Sequence, residues 1–193
     1  MDPITQGAFG AVFAQTQGKT KDLAKAAVIG CLAGMAPDLD ILIRSTNDSL
    51  LALEYHRHFS HSLLFIPFGG LICSLVIHPL LGRRFGLRFL QTLIWCIIGF
   101  ATHGLLDACT SYGTQLLWPL SHKRFAWDTI SIIDPLLTLP LLIKQILDPK
   151  VNLTLYPQKR PKQGLQATKL VREILAHKKT DTLFKQLVPY NDY

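Results

Sequence analysis

The chain has 193 residues, of which 49% are hydrophobic and 17% charged, and its mean hydropathy is +0.25. Charged residues usually make up about 25% of a soluble domain, so this composition favours a membrane protein. The net charge of +7 lies mainly toward the C-terminus, because residues 144–193 carry 10 Lys/Arg and only 4 Asp/Glu. No nucleic-acid-binding motif accompanies these charges, so we expect no nucleic-acid partner.

Five apolar stretches predict an all-α, polytopic membrane bundle of about four to five helices. A helix that crosses a bilayer needs about 20 mostly apolar residues. Residues 3–15 are too few for a crossing and predict a half-span or an interfacial helix. The longer candidate spans, in chain order, are residues 24–43, 62–81, 89–109 and 129–147.

Basic loops predict the orientation of these spans. Short cytoplasmic loops are enriched in Lys and Arg. Basic clusters occur within residues 19–25, 83–88 and 144–162, and all three face the cytoplasm if the chain crosses at each candidate span. We therefore predict a membrane-embedded domain over residues 1–147. Residues 148–193 are predicted to form a basic, partly amphipathic cytoplasmic tail that contacts anionic lipid head groups.

This orientation places many polar side chains at one membrane level, toward the non-cytoplasmic ends of the spans. A charged residue at the centre of a bilayer costs about 2.5–3.5 kcal/mol on insertion scales, so their concentration at one level points to a function. The set comprises Gln6, Asp38, Asp40, His56, His58, His61, His103, Asp107, Asp128 and Asp134.

Two pairs in this set have the spacing of metal ligands. His103 and Asp107 lie four residues apart in a helical stretch, so both face the same side, and imidazole and carboxylate are common ligands of divalent metals. The alternative is a His–Asp hydrogen bond that only ties helices together. Asp38 and Asp40, in the sequence APDLD, either flank a cation or form a polar turn at a helix end.

The stretch EYHRHFSHS brings three more imidazoles to the start of a span, at His56, His58 and His61. Arg57 is suited to bind an anionic substrate group such as phosphate, and Ser60 is a candidate cap for the following helix. The alternative is an interfacial cluster of amphipathic side chains. Oxygen and nitrogen ligands without cysteine suit zinc or manganese in a hydrolytic centre.

Five motifs occur in series: MDPITQG, GCLAGMAPDLD, HRHFSHS, HGLLDACTSYGTQLLWP and WDTISIIDP. In this order, over residues 1–143, they resemble the bacterial inner-membrane metal-dependent hydrolases of the YdjM-like family. That family is distantly similar to zinc-dependent phospholipase C and related nucleases, which are helical enzymes that hold zinc with His and Asp. Gln6 departs from the pattern, because many members have His at this position.

The resemblance implies a multi-pass hydrolase of the bacterial inner membrane that cleaves a phosphoester or another ester through metal-activated water. Its site would lie toward the periplasmic side, near membrane lipids. Arg57 would neutralise the substrate, and Asp134 would accept a proton or anchor a histidine. Zinc is the expected metal and manganese the alternative. The implied ligands are Asp38, Asp40, His56, His61, His103 and Asp107.

Two other functions are compatible with clustered His and Asp in a membrane protein. A transporter or channel for divalent cations uses such residues along its pathway. A non-catalytic membrane scaffold uses them only to hold helices together.

Overall fold

The computed structural model describes residues 1–42 and 56–148. Within these ranges the chain is helical and forms no strand, although one isolated antiparallel bridge pairs Thr114 with Phe125. This confirms the all-α prediction for the described part of the chain. The predicted tail lies outside the described residues apart from Asp148, so the domain boundary after residue 147 stays a prediction. The helices are α1 (Pro3–Gln15), α2 (Leu23–Met35), α3 (Ile66–Ile77), α4 (Phe89–Ala108) and α5 (Pro135–Leu147).

Two helical stretches are long and apolar enough to cross a membrane. Leu63–Gly82 and Phe89–Ala108 each have 20 residues, with hydropathies of 2.0 and 1.6. The first stretch contains α3, preceded by a 3-10 turn and followed by a wider π turn. Both stretches agree with spans predicted from the sequence at residues 62–81 and 89–109.

The other three helices are too short to cross a bilayer, as predicted for α1 over residues 3–15 but not for α2 and α5. Each has 13 residues, which gives a length of about 20 Å at 1.5 Å per residue, against a hydrocarbon core of about 30 Å. The predicted span at 24–43 is interrupted because α2 ends at Met35, and the chain continues through Pro37 as a 3-10 segment, Ala36–Leu42. The predicted span at 129–147 is also shorter as a helix, because α5 begins only at Pro135.

Small residues let α1, α2 and α4 approach closely. A Cβ atom added to Gly30 would lie 2.4 Å from the Cβ of Ala14 in α1 and 2.5 Å from the carbonyl oxygen of Gly10. A Cβ added to Gly99 in α4 would lie 2.5 Å from the carbonyl oxygen of Gly30. Membrane helices commonly associate through such small-residue contacts, since the helix backbones can then touch. This packing brings the end of α2 against the last turns of α4.

We predict that Gly30→Ala destabilises the bundle by about 1–3 kcal/mol, because the new methyl group forces α1 and α2 apart. The measurement is thermal unfolding in mild detergent, followed by circular dichroism. Leu32→Ala is the control on the same helix, because Leu32 is 42% exposed and its truncation displaces no neighbour. Equal unfolding midpoints for the two variants would contradict the packing described above.

Candidate metal centre

Four side chains from three parts of the chain converge at one end of the bundle. Asp38 lies in the 3-10 segment after α2, His61 precedes the first membrane stretch, and His103 and Asp107 lie near the end of α4. One ligand atom from each lies within 4.8 Å of the others. His103 and Asp107 lie on the same side of α4, as predicted. The other two side chains of the group, those of Asp38 and His61, come from two other segments.

The distances are short enough for all four atoms to surround one ion. His103 Nε2 lies 2.9 Å from His61 Nε2, 3.2 Å from Asp38 Oδ1 and 3.7 Å from Asp107 Oδ2. His61 Nε2 lies 3.6 Å from the same atom of Asp38 and 3.3 Å from the same atom of Asp107. Two nitrogen and two oxygen ligands form a set suited to zinc or manganese.

Hydrogen bonds on the far side of each imidazole ring orient it toward this point. His103 Nδ1 lies 2.5 Å from the carbonyl oxygen of Gly34, and a carbonyl only accepts, so we assign the proton to Nδ1. His61 Nδ1 donates to Ser60 Oγ at 2.9 Å, and Ser60 in turn donates to Asp40 at 2.6 Å. Once a metal displaces any proton on Nε2, each ring would present its Nε2 lone pair, as metal-binding histidines do when their other nitrogen is hydrogen-bonded.

A glycine in α4 makes the contact between the two histidines possible. A Cβ atom added to Gly104 would lie 2.3 Å from the carbonyl oxygen of His61. Only a residue without a side chain lets α4 approach the His61 backbone this closely. Because Gly104 directly follows His103 in the sequence, its missing side chain also lets His61 come close to His103.

Three of the four ligand side chains are fully buried. The side chains of His61, His103 and Asp107 have no exposed surface, whereas that of Asp38 is 25% exposed. Asp107 Oδ2 is buried and makes no hydrogen bond of good geometry, although its ion-pair partners His61 Nε2 and Arg57 Nε each lie 3.3 Å away. A buried carboxylate oxygen with only such longer contacts leaves room for a metal ion as a closer partner.

Other groups of the chain also contact the two carboxylate oxygens of Asp107. Gln6 Nε2 donates to Asp107 Oδ1 at 2.9 Å, and the amino group of Met1 contacts the same oxygen. Arg57 Nε lies 3.3 Å from Asp107 Oδ2. These groups hold the carboxylate in place, so that Oδ2 faces the two histidines.

The charges of the cluster shift the pKa values of its members outside the spans. Burial alone would raise the pKa of the Asp38 carboxyl, but hydrogen bonds from His103 and His61 hold it well below its usual range. The pKa of Asp40 is lowered in the same way, against the effect of burial, by His56, His61 and Ser60. Burial would lower the pKa of His61, but hydrogen bonds to three carboxylates raise it to about 10.

Two of the six predicted ligands lie beside this group of four. Asp40 accepts from Ser60, lies 3.4 Å from His61 Nδ1, and pairs with His56 Nδ1 at 2.8 Å. The main-chain amide of Arg57 donates to Asp40 as well, at 3.3 Å. Asp40 therefore lies behind His61, with His56 on its other oxygen. Direct coordination of a metal by Asp40 and His56 stays a prediction.

The two residues predicted to act in catalysis have different surroundings. Arg57 is 6% exposed, and its guanidinium group lies 3.3 Å from Thr110 Oγ1 and 4.7 Å from the ring centre of Tyr112. Asp134 caps α5, because its carboxylate accepts from the amides of Leu136 and Leu137. The proton-acceptor role of Asp134 stays a prediction.

Several contacts were not anticipated from the sequence. Ser60 serves the His61–Asp40 relay, whereas Ser62 caps the following helical turn by accepting from the amide of Phe65. The carbonyl of Gly34 has no sequence signal at all. Gln6 was recognised only as a departure from a motif, and its hydrogen bond to Asp107 depends on the packing of α1 against α4.

The described residues form an all-helical protein with two stretches able to cross a membrane and a His/Asp group able to hold a metal. These features define a helical membrane protein with a candidate metal site, and the sequence of the chain matches a family of membrane proteins over most of its length. The chain belongs to the YdjM inner membrane protein family, whose model matches residues 1–172. The match continues beyond residue 147, into the region predicted as a tail.

Two curated relatives carry part of the same sequence. The uncharacterized protein YfhP of Bacillus subtilis (strain 168) is 29% identical over 119 residues, which cover 61% of this chain and 35% of YfhP. The inner membrane protein YbcI of Escherichia coli (strain K12) is 31% identical over 108 residues, which cover 53% of this chain and 60% of YbcI. The chain thus spans less than two thirds of either relative. No solved structure matches it.

We predict that Asp40→Asn weakens metal binding by about 10- to 100-fold without unfolding the protein, because the relay that orients His61 loses its carboxylate. Competition with a chromophoric zinc chelator measures the affinity. Asp134→Asn is the matched control, since asparagine also caps helices and leaves the cluster untouched. An unchanged affinity would contradict the orienting role, and complete loss of metal from folded protein would instead support direct coordination by Asp40.

Metal binding at pH 7 is expected to release about one proton from His61, whose raised pKa keeps it protonated in the metal-free protein. The sign follows directly, because the ligand form of histidine is neutral and the metal must displace the proton. The affinity should therefore increase as the pH rises from 6 to 8. Calorimetric titration in two buffers of different ionisation enthalpy counts the released protons, and identical heats in both would contradict the prediction.

Proposed function

We propose that the protein is an integral inner-membrane metal-dependent hydrolase that acts on a phosphoester or another ester. The observation that carries the proposal is the convergence of four side chains, those of Asp38, His61, His103 and Asp107. Nδ1 of each imidazole is already hydrogen-bonded within the chain. The Nε2 atoms of the two imidazoles lie 2.9 Å apart and face the same point. Helices tied together by His–Asp contacts alone would not require this arrangement.

These four residues would hold a divalent metal, with zinc favoured by the ligand set and manganese as the alternative. When bound, such a metal supplies Lewis-acid activation of water and of the ester. Asp38 is the partly exposed ligand, so substrate and water would approach from its side. The other three ligands are buried, which keeps their positions fixed.

One polar atom beside Asp107 supports a role in handling substrate or water. Gln6 Oε1, an acceptor, is buried and makes no hydrogen bond to any described residue. A buried polar atom left without a partner is costly, so Gln6 Oε1 favours a donor from outside the chain. Arg57 Nε pairs with Asp107 Oδ2 at 3.3 Å, and the positive charge that this places beside the cluster supports the predicted contact with an anionic substrate group.

The proposed membrane arrangement is multi-pass, with the site toward the periplasmic side and the C-terminal region in the cytoplasm. The two long stretches support it, because Leu63–Gly82 begins two residues after His61 and Phe89–Ala108 ends one residue after Asp107. The site therefore adjoins the same end of both stretches. The three Arg residues at 83, 84 and 88 lie at their opposite end, which the enrichment of cytoplasmic loops in Arg assigns to the cytoplasm.

The test combines metal content with hydrolysis. Wild type and the double variant His103→Ala/Asp107→Ala are purified in mild detergent without chelator, and bound metals are quantified by mass spectrometry. We expect at least one equivalent of zinc or manganese in the wild type and its loss from the double variant. The metal-loaded wild type should also cleave a member of a panel of nitrophenyl phosphodiesters, phosphomonoesters and carboxylic esters, at a rate that the double variant lacks.

Circular dichroism shows whether the double variant is folded. If it is unfolded, Asp38→Asn replaces it, because Asp38 is partly exposed and lies outside the α-helices. A folded wild type that holds no metal even after zinc is added back would overturn the proposal. Metal binding without hydrolysis of any ester would favour the transporter or scaffold, and metal flux into reconstituted vesicles separates those two.

A further inference from the structure

The metal centre adjoins the ends of both membrane stretches. His61 lies two residues before Leu63, where the first stretch begins, and Asp107 lies one residue before Ala108, where the second stretch ends. A bilayer that covers both stretches would therefore have its boundary within a few ångströms of these ligands, at the level of lipid head groups.

Exposed apolar side chains belong to the same short segment as the exposed candidate ligand. Asp38, the exposed ligand, lies in the 3-10 segment Ala36–Leu42. Within the same segment Leu39 is 61% exposed and Leu42 is 71% exposed. An entrance used by water-soluble substrates is expected to have a polar rim. Large exposed leucines beside a ligand instead suit a rim that contacts hydrocarbon or the acyl chains of a substrate.

Two exposed aromatic residues lie near the end of α4, close to the centre. Trp127 is 51% exposed, and its main-chain amide donates to the carbonyl oxygen of Ala108 at 2.8 Å. Tyr112 is 48% exposed and covers the guanidinium group of Arg57. Tryptophan and tyrosine favour the interface between hydrocarbon and water, so these side chains are of the kind expected at head-group level.

We infer that the substrate is a phospholipid of the surrounding bilayer, which enters past Leu39 and Leu42 so that its head-group phosphate reaches the Asp38 side of the centre. This inference rests on the proposed function and specifies its substrate class. The apolar rim, Leu39 and Leu42, would take the first part of the acyl chains, and the phosphate would approach the four residues that would hold the metal. A dissolved phosphodiester with the same head group would gain nothing from the rim.

The test uses Mn²⁺ as a paramagnetic probe, so it does not depend on hydrolysis. The full chain is reconstituted in phosphatidylcholine nanodiscs with less than one equivalent of Mn²⁺, and ³¹P relaxation of the lipid phosphate is measured. Glycerophosphocholine, the same head group without acyl chains, is added to the solution as the competing source of phosphate. We expect several-fold faster relaxation of the lipid signal than in nanodiscs with His103→Ala/Asp107→Ala, and little change in the signal of the dissolved compound.

The rim is tested by Leu39→Asn/Leu42→Asn, which should retain Mn²⁺ and lose most of the lipid relaxation. Leu147→Asn is the matched control, because Leu147 is 70% exposed but lies at the end of α5 away from the centre. Equal relaxation of dissolved and lipid phosphates, or full relaxation in the rim variant, would overturn lipid entry while leaving the metal site intact. Failure of the wild type to hold Mn²⁺ or zinc would overturn the proposed function itself, so the two failures are distinguishable.

Discussion

The burial of Asp107 near the end of a membrane helix is the constraint on which the rest of the site depends. An ionised carboxylate without exposed surface is costly unless charges and donors surround it. Gln6 from α1, Arg57 and His61 from the segment before α3, and His103 one turn earlier in α4 meet this need. Helix α1 and the segment before α3 therefore have a reason to meet the end of α4, and their meeting brings together three of the four candidate metal ligands.

Close helix packing makes this convergence geometrically possible. The carbonyl of Gly34 can orient His103 only because α2 and α4 approach through small residues, and the backbone of His61 can reach α4 only at Gly104. Such contacts contribute little apolar area of their own in lipid, where helix association relies on packing and polar contacts. The glycines thus serve the placement of the ligands as much as the stability of the bundle.

The sequence predicted the parts of the site that depend on local spacing. His103 and Asp107 could be paired because residues four apart lie on the same face of a helix. The two long spans could be predicted because each is a mostly apolar run of about 20 residues. The family resemblance selected His56 and His61 from EYHRHFSHS, and of these only His61 joins the group of four. Residue spacing alone could not make this choice, because the segment is not a regular helix: Arg57 has a positive φ of 63°, and only Phe59–His61 forms a 3-10 turn. Asp134 had a readable signal, since Asp followed by Pro at the first helical position is typical of a helix N-terminus.

The difference between the four ligands bears on the choice between a structural and a reactive site. A structural zinc site fills all four coordination positions with protein side chains, whereas a catalytic site keeps one position for water or substrate. Here three ligands are held from behind, His103 by Gly34, His61 through Ser60, and Asp107 by Gln6. Asp38, in contrast, leaves a quarter of its side chain exposed beside the apolar rim. The three buried residues would give the site a fixed geometry, and the exposed Asp38 would give substrate or water a path to it. A site that only ties helices together needs the fixed geometry but no such path.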